Sequence, residues 1–113
     1  MHQASVVHDD VQDGAALRRN QPSVAARYGS AIAICVGDHL LARAFNALAS
    51  LPCASNLIAL FAGRVTEMAA AQAEEFVPTL WDGMTPARYA ALTAGKAGAM
   101  VALSWRAGRC SVD

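Results

Sequence analysis

Between residues 30 and 50 the apolar side chains Ile32, Val36, Leu40, Leu41, Ala44, Phe45 and Leu48 recur three and four positions apart, which is the spacing of one helical face. The first turns of this segment are apolar all round, so a fold that contains it must supply neighbouring helices to cover it. Pro52 ends it. The rest of the chain points the same way: 26 alanines, 6% aromatic residues and no run of alternating β-branched residues predict helix almost throughout. Three more helices are expected. One runs from Met1 to about Val11. Another starts from a Ser55 or Asn56 cap and continues through Leu57, Leu60, Phe61, Val65 and Met68 to about Phe76, before Pro78. The last is capped by Thr85, has Pro86 in its first turn and stops near Gly108. Residues 14–22, with Gly14, Arg18, Arg19, Asn20 and Pro22, read as a loop, and 78–84 as a connection. Gly95 and Gly98 fall inside the last helix, where each costs up to about 1 kcal/mol relative to Ala, so something other than helix propensity placed them.

At 113 residues with 55% hydrophobic composition, the chain has room for one domain, 1–113. That apolar content is high for four helices, and the faces of 31–48 and 98–105 are expected to lack full cover. Nine basic and nine acidic residues cancel, which argues against a nucleic-acid partner or a membrane clamp acting through bulk charge. Cys35, Cys53 and Cys110 are odd in number, far apart and without a C-x-x-C pair. A reduced, cytoplasmic protein without a structural zinc fits them better than a disulfide framework. No basic n-region opens the chain, and Asp38 and Arg106 interrupt its apolar segments, so neither a signal peptide nor a membrane span is expected.

The candidate chemistry sits in His8-Asp9-Asp10-Val11-Gln12-Asp13, followed by Arg18-Arg19. On a helix Asp9 and Asp13 share a face while Asp10 points about a third of a turn away. Like charges at that spacing repel, a cost that a divalent ion between them removes. Oxygen ligation by one or two carboxylates suits Mg²⁺ when phosphates and water complete its octahedron, and two adjacent arginines suit the remaining phosphate charge. An acidic helix end running into a solvated basic loop is the bland alternative, and spacing alone favours it.

The longer string, Asp9 through Arg19 continuing to Pro22, Arg27-Tyr28-Gly29, Ala31-Ile32-Ala33-Ile34 and Gly37-Asp38-His39-Leu40-Leu41-Ala42-Arg43-Ala44-Phe45, strongly resembles the trans-isoprenyl diphosphate synthases, or polyprenyl synthetases. It carries that family's first aspartate-rich motif, DDxxD, with the Arg pair at the usual distance, then its Gly-Asp helix. Gln72 with Glu75 resembles the Gln-x-x-Asp element, and Lys96-Ala97-Gly98 the Lys-Thr element. The resemblance implies an all-α fold, here a partial isoprenoid-synthase bundle of about four main helices. It also implies an activity: an allylic diphosphate held by Mg²⁺ ionises and is attacked by isopentenyl diphosphate. Carried over by position, Asp9 and Asp13 would ligate Mg²⁺ with Asp10 in support. Arg18 would contact the allylic diphosphate and Arg19 the isopentenyl diphosphate. Lys96 would bind the allylic diphosphate, and Lys96 and Gln72 would serve the catalytic step. Small residues at Ala4 and Ser5 imply a deep pocket for the growing prenyl tail.

The helices that normally precede the first aspartate motif, and the second aspartate motif that normally follows, have no counterpart in these residues. The resemblance therefore covers a central segment of the family, and the chain is expected to be a truncated copy, a fragmentary gene product or a short partner subunit. Two readings follow: prenyltransferase machinery with the Asp9 and Asp13 site intact, or a non-catalytic helical fragment or partner subunit of a larger synthase, with a homodimer also possible. Outside the motif, His8 is expected to bond its helix neighbours, Asp38 to pair with an arginine, and Trp81 and Trp105 to anchor a core or interface.

Overall fold

The computed structural model describes residues 2–77 and 81–94. In chain order it holds α1 (His2–Gln12), β1 (Leu17–Arg18), β2 (Gln21–Pro22), α2 (Val24–Tyr28), α3 (Ser30–Ala49) and α4 (Ala54–Glu75), followed by a helical stretch over 86–94. This is the all-α architecture expected, with one two-residue ladder as the only sheet among the described residues. The chain divides into two compact units, Met1–Leu51 and Pro52–Asp113.

In the first unit α1 packs on α3, and α2 packs on both. The buried apolar positions are small or of moderate size, namely Ala4, Val7 and Ala33, which lets the helix axes approach closely. Helix α1 ends in a Schellman motif: the Ala15 N–H donates to the Asp10 carbonyl at 2.9 Å and the Gly14 N–H to that of Val11 at 3.3 Å. Gly14 supplies the φ of 62° that this cap requires.

Residues 14–22, expected as a loop, contain a hairpin. Leu17 lies opposite Pro22 and Arg18 opposite Gln21, with Arg19 (φ 49°) and Asn20 (φ 64°) between them. Two central residues with positive φ form the kind of two-residue turn whose twist matches an antiparallel pair. Asn tolerates that region; Arg does not favour it, so the signal was absent from the residue types. The short helix α2 was also not expected, since five residues are too few to show periodicity. Its N-cap is Ser23, 2% exposed, whose Oγ accepts from the Ala26 N–H at 3.0 Å and donates to the Ala15 carbonyl at 2.6 Å.

Helix α3 follows the expected span to within a residue. It is also the one helix among those described that is long and apolar enough to cross a membrane by length and composition, despite Asp38. Its buried positions are Ala33 and Gly37, four apart on one face.

In the second unit α4 buries Leu57 and Phe61. It starts earlier than expected: Ser55 and Asn56 lie inside its first turn, and Cys53 holds the cap position without a side-chain cap bond. Trp81 is 48% exposed, so it is no core anchor; its indole N–H donates to the Glu75 carbonyl at 3.2 Å, closing the end of α4. Thr85 caps the following helix as expected, its Oγ1 accepting from the Arg88 N–H at 3.2 Å. The expectation of three reduced thiols fails at Cys53, which is disulfide-bonded; Cys35 is free and exposed. Gly95, Lys96, Gly98, Trp105, Gly108 and Cys110 lie outside the described residues.

Candidate functional site

The last turn of α1 and its cap carry Asp9, Asp10 and Asp13, and no base lies in that turn. Carboxylates there meet the negative end of the helix dipole as well as one another, an arrangement opposed on both counts by a few tenths of a kcal/mol or more per charge. A helix selected for stability alone would place lysine or arginine at these positions. The conflict therefore points to a ligand that wants negative charge.

The three acids are not equivalent. Asp13 is exposed and Asp9 half-buried, and their positions four apart place both on one face. Asp10 is 3% exposed and extends the buried stripe of Ala4 and Val7, three residues apart each time. Its Oδ1 accepts from Arg18 twice, from Nε at 2.9 Å and from Nη2 at 2.5 Å. The hairpin makes this possible by folding β1 back toward α1, and the Ser23 bond to the Ala15 carbonyl holds the strap closed. The hydrogen bond to Asp10 raises the Arg18 pKa above its ordinary value; the charge of Asp10 adds to this, with smaller pulls from Asp9 and Asp13. Arg18 thus stands within electrostatic reach of all three acids. Arg19, at the hairpin tip, is exposed.

Beside the acids, His8 lies over Gly37 so closely that a Cβ on residue 37 would overlap the imidazole. The His8 Nε2 is 3.2 Å from the Asp38 carboxylate and 3.4 Å from the Ile34 carbonyl. His8 therefore reaches across to α3 rather than to its helix neighbours, and Asp38, exposed rather than buried, pairs with it instead of an arginine. The Gly-Asp pair of α3 docks the helix that carries the acids. Close approach at glycine was the signal available for this contact.

Among the described residues no three His, Cys, Asp or Glu side chains gather as a metal cage. Asp9 and Asp13 are hard oxygen donors, two in number, with Asp13 exposed, and their chemistry fits an ion that takes part of its shell from phosphate and water, as Mg²⁺ does. Gln72 is half-buried on α4 in the second unit; Lys96 lies outside the described residues.

Comparison with known proteins agrees with the motif. Over 51 residues the chain is 47% identical to the all-trans-nonaprenyl-diphosphate synthase (geranyl-diphosphate specific) of Rhodobacter capsulatus, covering 45% of this chain and 16% of that one. It is 47% identical over 68 residues to the nonaprenyl diphosphate synthase of Mycobacterium tuberculosis, covering 58% and 20%. Over 51 residues it is 45% identical to heptaprenyl diphosphate synthase component 2 of Geobacillus stearothermophilus, covering 45% and 16%. The chain thus spans a fifth or less of the length of these relatives. A family profile described as polyprenyl synthetase matches residues 1–113 from end to end, and the chain belongs to that family.

Proposed function

We propose that this segment supplies the diphosphate-binding half of a trans-prenyltransferase site, in which an allylic diphosphate condenses with isopentenyl diphosphate during isoprenoid biosynthesis. The observation that carries the reading is the crowding of Asp9, Asp10 and Asp13 at the negative end of α1 with Arg18 folded back onto Asp10. Asp9 and Asp13 would hold Mg²⁺, which when bound neutralises diphosphate and stabilises it as a leaving group. Arg18 presents its outward N–H groups to the same phosphates, and Arg19 offers a second guanidinium at the hairpin tip for isopentenyl diphosphate. Lys96 and Gln72 would complete the cationic and polar lining. Catalysis of this kind is mainly electrostatic, because charge on the departing diphosphate develops where fixed cations already stand.

The test is calorimetric titration of inorganic pyrophosphate into the purified chain with and without Mg²⁺. Binding that requires Mg²⁺ and vanishes in the Asp9→Ala, Asp13→Ala variant is the expected result; indifference to metal and to the substitutions refutes the reading. Relatives named as component 2 of a heptaprenyl diphosphate synthase support a second element, namely that the segment works within an assembly, as one subunit of a larger synthase or as a homodimer. Names among the relatives range from farnesyl to nonaprenyl diphosphate synthase, so sequence identity alone selects no product length.

A further inference from the structure

Helices α1 and α3 pack together, and their buried apolar positions are small: Ala4 and Val7 on one, Ala33 and Gly37 on the other. Small side chains make shallow ridges, which bring two axes close but resist rotation of one helix on the other weakly. His8 supplies the missing interlock. The Nε2–Cδ2 edge of its ring fills the place where a Cβ of residue 37 would stand, while 30% of the side chain remains exposed. Nε2 faces two acceptors on α3, the Asp38 carboxylate at 3.2 Å and the Ile34 carbonyl at 3.4 Å, so this nitrogen carries the proton and donates. A ring held by both shape and direction fixes the turn of α1 on which it stands.

That turn is the one most in need of a hold. Eleven residues are too few for a helix to be stable alone, and this one ends on acids with no base in its last turn. Helix dipole and the repulsion between Asp9 and Asp13 both favour fraying there. Once the turn unwinds, the two carboxylates no longer share a face, and the apparent affinity for an ion falls with the share of chains in which the turn is wound. Resting on the reading that Asp9 and Asp13 take a divalent ion, we propose that His8 is a positioning residue for that pair. Seated in the Gly37 notch and held by Asp38 and the Ile34 carbonyl, it keeps the end of α1 wound, so that the carboxylates stand at chelating spacing before the ion arrives. The Gly-Asp pair of α3 thus acts on the ion through His8: Gly37 provides the notch and Asp38 an acceptor.

The experiment uses the full chain at one pH and three readouts: Mn²⁺ affinity by electron paramagnetic resonance with the metal alone, denaturation midpoints, and hydrogen exchange of the Asp13 amide, which donates to the Asp9 carbonyl at 2.8 Å. Gly37→Ala evicts the ring and leaves His8 and every acid in the sequence. It is expected to weaken Mn²⁺ on the order of fivefold, the low end of couplings between separate sites, and to speed exchange of the Asp13 amide. His8→Ala should do the same, whereas His8→Gln, whose side-chain amide donates from near the place of Nε2, should stay within about twofold of the wild type. The double variant separates positioning from stability. With Ala at both positions the overlap is gone and the midpoint recovers, yet Mn²⁺ binding should remain as weak as in either single variant, because both remove one contact. Mn²⁺ affinity that recovers along with the midpoint overturns the proposal. So do single variants that bind Mn²⁺ as the wild type does, an Asp13 amide that exchanges no faster in them, or a His8→Gln chain as weak as His8→Ala. Should a single variant fail to fold by circular dichroism, the double variant and His8→Gln decide: wild-type affinity in the first or a fivefold loss in the second overturns it equally. A wild-type chain that binds no Mn²⁺ sinks the functional reading itself, while wild-type binding matched by every variant sinks the role of His8 alone.

Discussion

Asp13 is exposed at the cap of α1, one turn from Asp9, where helix dipole and like charge both oppose it. Asp13→Asn is therefore expected to stabilise the fold by about 0.3–1 kcal/mol while removing Mg²⁺-dependent pyrophosphate binding; paired urea melts and calorimetry check both signs, and a destabilised variant contradicts the assignment. Two glycines make a sharper comparison. Both sit inside helices, so Ala at either gains up to about 1 kcal/mol of helix propensity. At Gly63 nothing lies within 4 Å of the added Cβ, and Gly63→Ala is expected to keep the whole gain. At Gly37 the Cβ overlaps His8, so the imidazole must leave Asp38 and the Ile34 carbonyl. That ion pair is worth little, since Asp38 is 67% exposed, but overpacking between helices costs about 1–3 kcal/mol. Gly37→Ala is expected to destabilise, and His8→Ala in the same chain to restore the gain seen at Gly63. Additive effects in that cycle, read from denaturation midpoints, remove the contact from the account.

At the level of elements, the segment linking α1 to α2 depends on Ser23, which is both cap and strap. Ser23→Ala loses the bond from the Ala26 N–H and leaves the Ala15 carbonyl without its donor, an expected loss of about 1–2 kcal/mol. Hydrogen exchange should locate that loss in residues 15–28; an unchanged exchange pattern shows the strap to be dispensable. The long helices are legible in the sequence because apolar spacing over 30–48 and 57–68 and the prolines beyond them are strictly local signals. The hairpin and α2 are not, because Arg19 and Asn20 take positive φ under constraints from Ala15, Ser23 and Asp10 that lie outside the turn. The start of α4 escaped for another reason: Ser55 and Asn56 look like caps, yet the chain enters the helix at Ala54 behind Cys53. In the site, the shared face of Asp9 and Asp13 follows from spacing alone. The pairing of Asp10 with Arg18 needs the chain reversal, and that of His8 with Asp38 needs two helices to meet across thirty residues.

Over the molecule as a whole, two consequences follow from which faces are covered. On α3 Ile32 and Ile34, on opposite flanks of the buried Ala33, are each about half exposed, and Ala31, Ile32, Cys35, Val36, His39 and Leu40 line an open apolar groove. Self-association is the expected behaviour, read by analytical ultracentrifugation and relieved by Ile32→Lys; a monodisperse, cooperatively melting wild-type monomer counts against it. The second follows only if, as proposed, a prenyl diphosphate binds at the acids. Residues 5, 9 and 13 stack along one face of α1, so a chain anchored at Asp9 and Asp13 and running along that face meets Ser5 next. Ala4 and Ser5 looked interchangeable as small residues near the pocket, but the structure separates them. Ala4 is 3% exposed in the packed stripe with Val7, whereas Ser5 is half-buried and its hydroxyl only turns back to the His2 carbonyl at 2.9 Å. Ala4→Phe is therefore expected to disrupt packing, and Ser5→Phe to fold and shorten the product by filling the space the next isoprene unit would occupy. With residues 1–113 grafted into a complete synthase in place of its matching segment, the unsubstituted graft should release products of geranylgeranyl length or longer. The Ser5→Phe graft should stop earlier, and identical short products from both would show that α1 does not line the tail's path.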